Sequence, residues 1–142
     1  MNTSSEKPTL HASQRVVQLL LGGGAAIVVG AFLAWATVGP FSVAGTSGDG
    51  KLTFVGGAVL AWVGWRARVA TGRRAHAIAA LVVAVLVLAI AAYDTADISS
   101  KSNTFFHAEV GIGLWITDIG SLVAIVASGM WLARRVQPPQ SF

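Results

Sequence analysis

Residues 77–93 read AIAALVVAVLVLAIAAY, seventeen positions whose only polar atom outside the backbone is the hydroxyl of the closing Tyr93. Arg73 and Arg74 stand before the run and Asp94 ends it. Crossing a ~30 Å hydrocarbon core takes ~20 helical residues, so the run predicts a membrane span that borrows a residue or two at its ends. The charges that bracket it have opposite sign, and this asymmetry recurs along the whole chain.

Three further apolar runs lie outward from this one. They are Val16–Val38, Leu52–Trp65 and a stretch within Ala108–Ala133. The first and last are long enough to span. Leu52–Trp65 covers only ~21 Å at 1.5 Å per residue. It therefore needs extension at both ends, with Lys51 and Arg66 reaching to the interfaces, and a re-entrant hairpin is its competing reading. The expectation is an all-α polytopic membrane protein, with four transmembrane helices in an antiparallel bundle beneath a small extracytoplasmic cap. Residues 1–15 form a leader, 16–133 one transmembrane domain with spans at about 16–38, 52–68, 76–93 and 111–133, and 134–142 a tail. The basic leader, apolar run and Ala34-Trp35-Ala36 also have the outline of a cleaved signal peptide. The run exceeds a usual signal core, which favours a retained first span.

Charge sets the orientation. Lys7, Arg15, Arg66, Arg68, Arg73, Arg74, Arg134 and Arg135 fall on one side of the four runs, and only Lys51 and Lys101 on the other. Of the six acids, Glu6 alone is on the basic side, against Asp49, Asp94, Asp97, Glu109 and Asp118. Cytoplasmic loops retain Lys and Arg, so both termini are expected in the cytoplasm and the protein in the plasma (inner) membrane. Trp35, Tyr93 and Trp115 at the outer ends, and Trp62, Trp65 and Trp131 at the inner ends, fit two interfacial belts.

Composition narrows the classes. The chain of 142 residues is 54% hydrophobic and 11% charged, with mean hydropathy +0.68. A soluble domain carries about 25% charged residues. The ten basic residues punctuate the ends of apolar runs and form no nucleic-acid face. With no cysteine there is no disulfide framework or thiolate metal site. Gly45–Lys51 has the G-x-x-x-x-G-K spacing of a phosphate loop, but Leu52 stands where a hydroxyl should hold magnesium. No catalytic, cofactor or metal set is assigned.

Packing between spans is expected through small residues, since lipid supplies little drive for association. Gly22, Ala26, Gly30 and Ala34 recur every four residues in the first span. Gly113, Thr117, Ser121 and Gly129 mark the fourth, with Gly120, Ala124 and Ser128 as a second line. Gly57 with Ala61, and Ala80 with Ala84, serve the middle spans.

The outer loops hold the candidate functional residues. Phe41-Ser42-Val43 has strand character, with Leu52–Val55 as a possible returning partner and a turn-rich segment between. In the second outer loop Asp94 and Asp97 lead to Phe105, Phe106 and His107, which suit lipid or partner contact, then to Glu109. Asp118 lies inside the fourth run, near its outer end. An intramembrane acid is paired or functional as a rule, and Lys51, His107 or a hydroxyl are its expected partners. Asp94, Asp97, His107, Glu109 and Asp118 are also the only set that could share a metal ion, though their spacing follows no metal motif.

The outer segment GPFSVAGTSGDGK (39–51) and VGIGLWIT (110–117), set in this architecture, resemble small four-helix membrane proteins common in actinobacteria. The resemblance implies an architecture and no catalytic residues. The functional expectation is a non-enzymatic accessory or assembly subunit of a larger bacterial membrane complex, its partners being lipid, other membrane subunits or itself. A homo-oligomeric channel or carrier using Asp118, and a lipid-acting enzyme at the outer face, are the alternatives.

Overall fold

The computed structural model describes residues 13–69, 74–101 and 108–133. These residues are mostly helical. Helix α1 (Gln14–Phe32) leads to strands β1 (Ala34–Val38) and β2 (Phe41–Ala44) and a 3-10 turn (Gly45–Ser47). Helices α2 (Gly50–Val69) and α3 (Arg74–Lys101), strand β3 (Ala108–Val110) and helix α4 (Ile112–Ala133) complete the chain. Each helix packs on the next, and α4 closes the ring against α1. The α1–α4 and α1–α2 seams are the most extensive, and α2–α3 is the loosest. Three helices, α1, α3 and α4, are long and apolar enough to cross a membrane. Helix α2 is continuous over 20 residues and is not a re-entrant hairpin, but Lys51, Arg66 and Arg68 sit near its ends.

A core of Leu20, Ile27, Leu60, Leu114 and Trp131 is joined on α3 and α4 by small and hydroxyl residues, while many large apolar side chains of those two helices face outward. Helix α3 buries Ala77, Ala80, Ala84, Val87 and Ala91, at alternating spacings of three and four. Its larger Ile78, Val82, Val85, Leu86 and Tyr93 face outward. Helix α4 buries Thr117, Ser121 and Ser128 while exposing Trp115, Ile119, Leu122 and Val126. The buried hydroxyls are satisfied within their own helix. Thr117 donates to the Gly113 carbonyl at 2.9 Å, Ser121 to Thr117 at 2.8 Å and Ser128 to Ala124 at 2.8 Å. Water would penalise a shell of large apolar side chains, whereas lipid accepts one.

The seams of α1 are made of backbone. A methyl group on Gly23 would lie 2.8 Å from the Gly120 carbonyl oxygen, and one on Gly30 2.7 Å from that of Gly113. On the adjoining face, a methyl on Gly24 would lie 2.6 Å from the Ala61 amide nitrogen. Of the small residues picked out by four-residue spacing, Gly30, Gly113, Thr117 and Ser121 are buried and Ala26 lies against Gly120. Gly22 and Gly129 have no atom within 4 Å of where a side chain would begin, and Ala34 belongs to a strand. The α4 contact line of α1 keeps Ala26 and Gly30 and takes Gly23 in place of Gly22, while Gly24 meets α2.

The first apolar run does not stay helical to Val38. Helix α1 stops at Phe32, and residues 34–38 become the central strand of an antiparallel sheet ordered β2-β1-β3. Val38 pairs with Phe41 across a two-residue turn. Gly39 takes φ +56° at its first position, the left-handed conformation that such turns demand. The partner of β2 is therefore β1, and Leu52–Val55 are helical. Trp35 and Trp131, expected at the interfaces, are buried instead.

The backbone seam generates a prediction. Gly30→Ala should lower stability by about 1–3 kcal/mol through overpacking against backbone, while Gly22→Ala should leave it unchanged or slightly raised. Thermal unfolding in a mild detergent, followed by circular dichroism, checks the pair.

Candidate functional site

The end of the bundle that carries the sheet is where the described acids gather. Its centre is Trp35. The register of β1 slips between Ala34 and Ala36, so Trp35 is the extra residue of a β-bulge. A bulge re-aims the side chain it carries, and Trp35 is turned under the sheet with only 6% of its surface exposed. Its indole N–H donates at 2.9 Å to the Gly30 carbonyl oxygen, which also accepts the Leu33 amide that caps the end of α1. It packs with Ala91 and Leu114. Two glycines admit it. A side chain on Gly45 would strike the Trp35 ring, and one on Gly111 would strike the Ala34 carbonyl. The Gly111 amide donates to the Trp35 carbonyl oxygen at 2.7 Å, fixing β3 and the start of α4 to β1.

A shallow cavity of about 280 Å³ opens beside the indole, walled by Trp35, Val43, Gly48, Asp49, Asp94 and Ile98. Asp94 stands where α3 leaves its apolar run and continues alongside the sheet. One of its carboxylate oxygens is buried without a hydrogen-bond partner. Burial first, then the Asp49 and Asp97 carboxylates, push the Asp94 carboxyl above its usual range. Phe41 in β2 is 74% exposed and Val43 is half exposed, so the outer edge of the sheet is apolar as well as unpaired by any described strand.

Asp118 lies deeper. On α4 it shares a helical face with Leu114, which packs against Ala91 of α3, and with Ile125, which joins the main core. Antiparallel packing then sets Asp118 near the level of Val87, and Asp94 ~10 Å further out along the axis. Asp118 is half-buried, and its Oδ1 is buried with no hydrogen-bond partner among the described residues. The expected pairing with Lys51 is not formed. Lys51 is on α2, across the ring from α4, and is exposed. The hydroxyl one turn away, Ser121, is committed to the Thr117 carbonyl. The outward ridge of Trp115, Ile119, Leu122 and Val126 runs beside Asp118.

The remaining candidates separate. Asp97 is half-buried one turn along from Asp94, and Glu109 is exposed on β3 opposite Thr37. Phe105, Phe106 and His107 lie outside the described residues. Among the described residues no three His, Asp or Glu side chains stand close enough to share a metal ion. The hydroxyls of Thr95, Ser99 and Ser100 donate to carbonyls of α3 about one turn back, so each is held by its own helix. What the site offers is a carboxylate pair beside an indole at the rim and an unpartnered carboxylate in the α3–α4 seam. Sequence reasoning assigned Trp35 to the membrane interface and missed Asp49 as a neighbour of Asp94. The signal for the first was the Trp-Ala-Thr-Val-Gly-Pro succession, which mixes strand formers with turn residues. Comparison with protein-family models, characterised proteins and solved structures finds no match for this chain.

The raised Asp94 carboxyl has a pH signature. Between its usual value of 3.8 and the raised folded value, the folded chain binds more protons than the unfolded one. Stability contributed by this group is therefore present at low pH and lost as pH rises through that interval. Asp94→Asn should be more stable than the parent at pH 7 and should lose that advantage at pH 3, as denaturation midpoints in detergent across this range would show.

Proposed function

We propose that this chain is a multi-pass protein of the bacterial plasma membrane, crossing four times with both termini in the cytoplasm, and that it serves as a non-enzymatic accessory or assembly subunit of a larger membrane complex. The shell of large apolar side chains supports residence in lipid. The distribution of basic residues supports the orientation. Helix α2, at 20 residues, spans ~30 Å, and its cationic ends reach the two interfaces by snorkelling.

The observation that carries the subunit reading is Asp118. A carboxylate at this depth costs up to ~3 kcal/mol on insertion scales when it meets no partner. The neighbouring α1 and α3 supply none at its level. Residues 77–93 of α3 are apolar, and the one polar side chain of α1 beyond its first turn, Gln18, is near the opposite end. A donor from another subunit's membrane helix, laid against the Trp115–Val126 ridge, satisfies the carboxylate and covers the ridge together. The exposed Phe41 edge of the sheet offers a second contact above the membrane.

In this reading Asp118→Asn leaves the isolated chain at least as thermally stable as the parent, because it removes an uncompensated charge, but reduces recovery of a co-purifying membrane protein by about tenfold, as for loss of a buried charge-assisted hydrogen bond. Thermal unfolding of the purified chain measures the first, and affinity purification from native membranes in mild detergent, followed by mass spectrometry, measures the second. Recovery of the parent chain as a lone monomer overturns the proposal. Recovery as a ring of identical copies with Asp118 lining a water-filled axis replaces it with a channel.

A further inference from the structure

At the end of the bundle away from the sheet, the first two turns of α1 and the last turn of α2 enclose a second cavity, of about 290 Å³, lined by Gln14, Val17, Gln18 and Arg68. We propose that it binds a phosphate ester, supplied by the headgroup of an anionic phospholipid at the cytoplasmic surface of the bilayer.

Three observations support this assignment. The first is the donor set. Gln14 and Gln18 are one turn apart on α1, and Arg68 faces them from α2. A guanidinium presents a planar fork of N–H donors that matches two phosphate oxygens, and carboxamide N–H groups can serve the others. The second is charge. The described ionisable side chains near this end include Arg15, Arg66, Arg68 and Arg74, whereas every described carboxylate belongs to the sheet half of the chain. Among the described residues, this end holds no carboxylate to pair with those cations. The third is position. Trp62 and Trp65 are half exposed just before Arg68, and the Arg66 guanidinium lies over the Trp62 ring at 5.7 Å. Exposed tryptophans next to arginines mark the headgroup level of a bilayer, which sets the cavity mouth where lipid phosphates lie. Its volume corresponds to ~10 waters at ~30 Å³ each, room for a phosphate and the glycerol esterified to it.

The lipid source rests on the membrane reading above; recognition of the phosphate group does not. The full chain in an uncharged detergent is to be titrated with phosphatidylglycerol and with phosphatidylcholine, with retained lipid counted by native mass spectrometry. In parallel, it is titrated with sodium phosphate and glycerol phosphate by calorimetry. Phosphatidylglycerol should be retained in preference to phosphatidylcholine. Arg68→Gln should weaken retention about fivefold, the loss of one basic contact, and Gln14→Ala with Gln18→Ala should weaken it further. Arg74→Gln removes the same charge from the same end outside the cavity and should bind as the parent does. Arg68 is exposed, so its variant is expected to fold; circular dichroism confirms this before binding is scored. Soluble phosphates binding with the same dependence on Arg68, where lipid does not, would keep the phosphate site and remove the lipid as its source. Equal retention of the two lipids with no binding of soluble phosphate, or equal losses in Arg68→Gln and Arg74→Gln, overturns the site. Should the chain prove soluble without detergent, the membrane reading fails, and the calorimetric arm still decides whether phosphate binds.

Discussion

The absence of side chains on two faces of α1 is the constraint on which the rest of this molecule depends. At Gly23 and Gly30 the helix backbone touches that of α4, and at Gly24 it touches that of α2. No adjustment of a flexible side chain can make room there, because the opposing atoms are carbonyl oxygens and amide nitrogens. Lipid is as apolar as the side chains themselves, and in such a medium a close fit of this kind supplies the attraction that water would otherwise drive. It also explains the sorting of the other helices. Where the seams are filled by backbone, alanine and hydroxyls, many of the large apolar residues of α3 and α4 turn outward, while Leu20, Ile27, Leu60, Leu114 and Trp131 complete the core.

The same close approach organises the functional end. Because α1 stops at Phe32, the Gly30 carbonyl takes the Trp35 indole beside the capping Leu33 amide, and the chain turns into a sheet instead of a longer helix. The bulge that buries Trp35 leaves β2 at the sheet edge with Phe41 outward, and brings Asp49 near Asp94. The opposite end is built on different terms, with one arginine and two glutamines around a cavity. The two ends thus differ in charge, in secondary structure and in the chemistry they present, which suits a protein whose two faces meet different surroundings.

Much of this was legible in the sequence. The four helices follow from four apolar runs, and the polarity of the two ends follows from where Lys, Arg and the acids fall. The end of α1 was not legible, because Ala34–Val38 is as apolar as the helix before it and its conversion to strand depends on partners distant in the chain. A three-residue strand such as β3 is too short to show any alternation. Ala26 and Gly30 were placed on the packing face of α1, but Gly23 takes the place of Gly22, because the run Gly22-Gly23-Gly24 fits a four-residue repeat in three phases. Only the neighbours on α2 and α4 select among them. Asp118 was identifiable from its place inside an apolar run, but that Lys51 does not pair with it requires knowing that Lys51 sits across the ring.

The chain contains no cysteine, so single introduced thiols report topology without background. Ser47 lies between the sheet and α2, and Thr71 follows α2 in the sequence. In intact cells a membrane-impermeant maleimide should label a cysteine at position 47 and should reach one at position 71 only after permeabilisation. Labelling of both positions from the same side would show that α2 does not cross, and would contradict the four-span account.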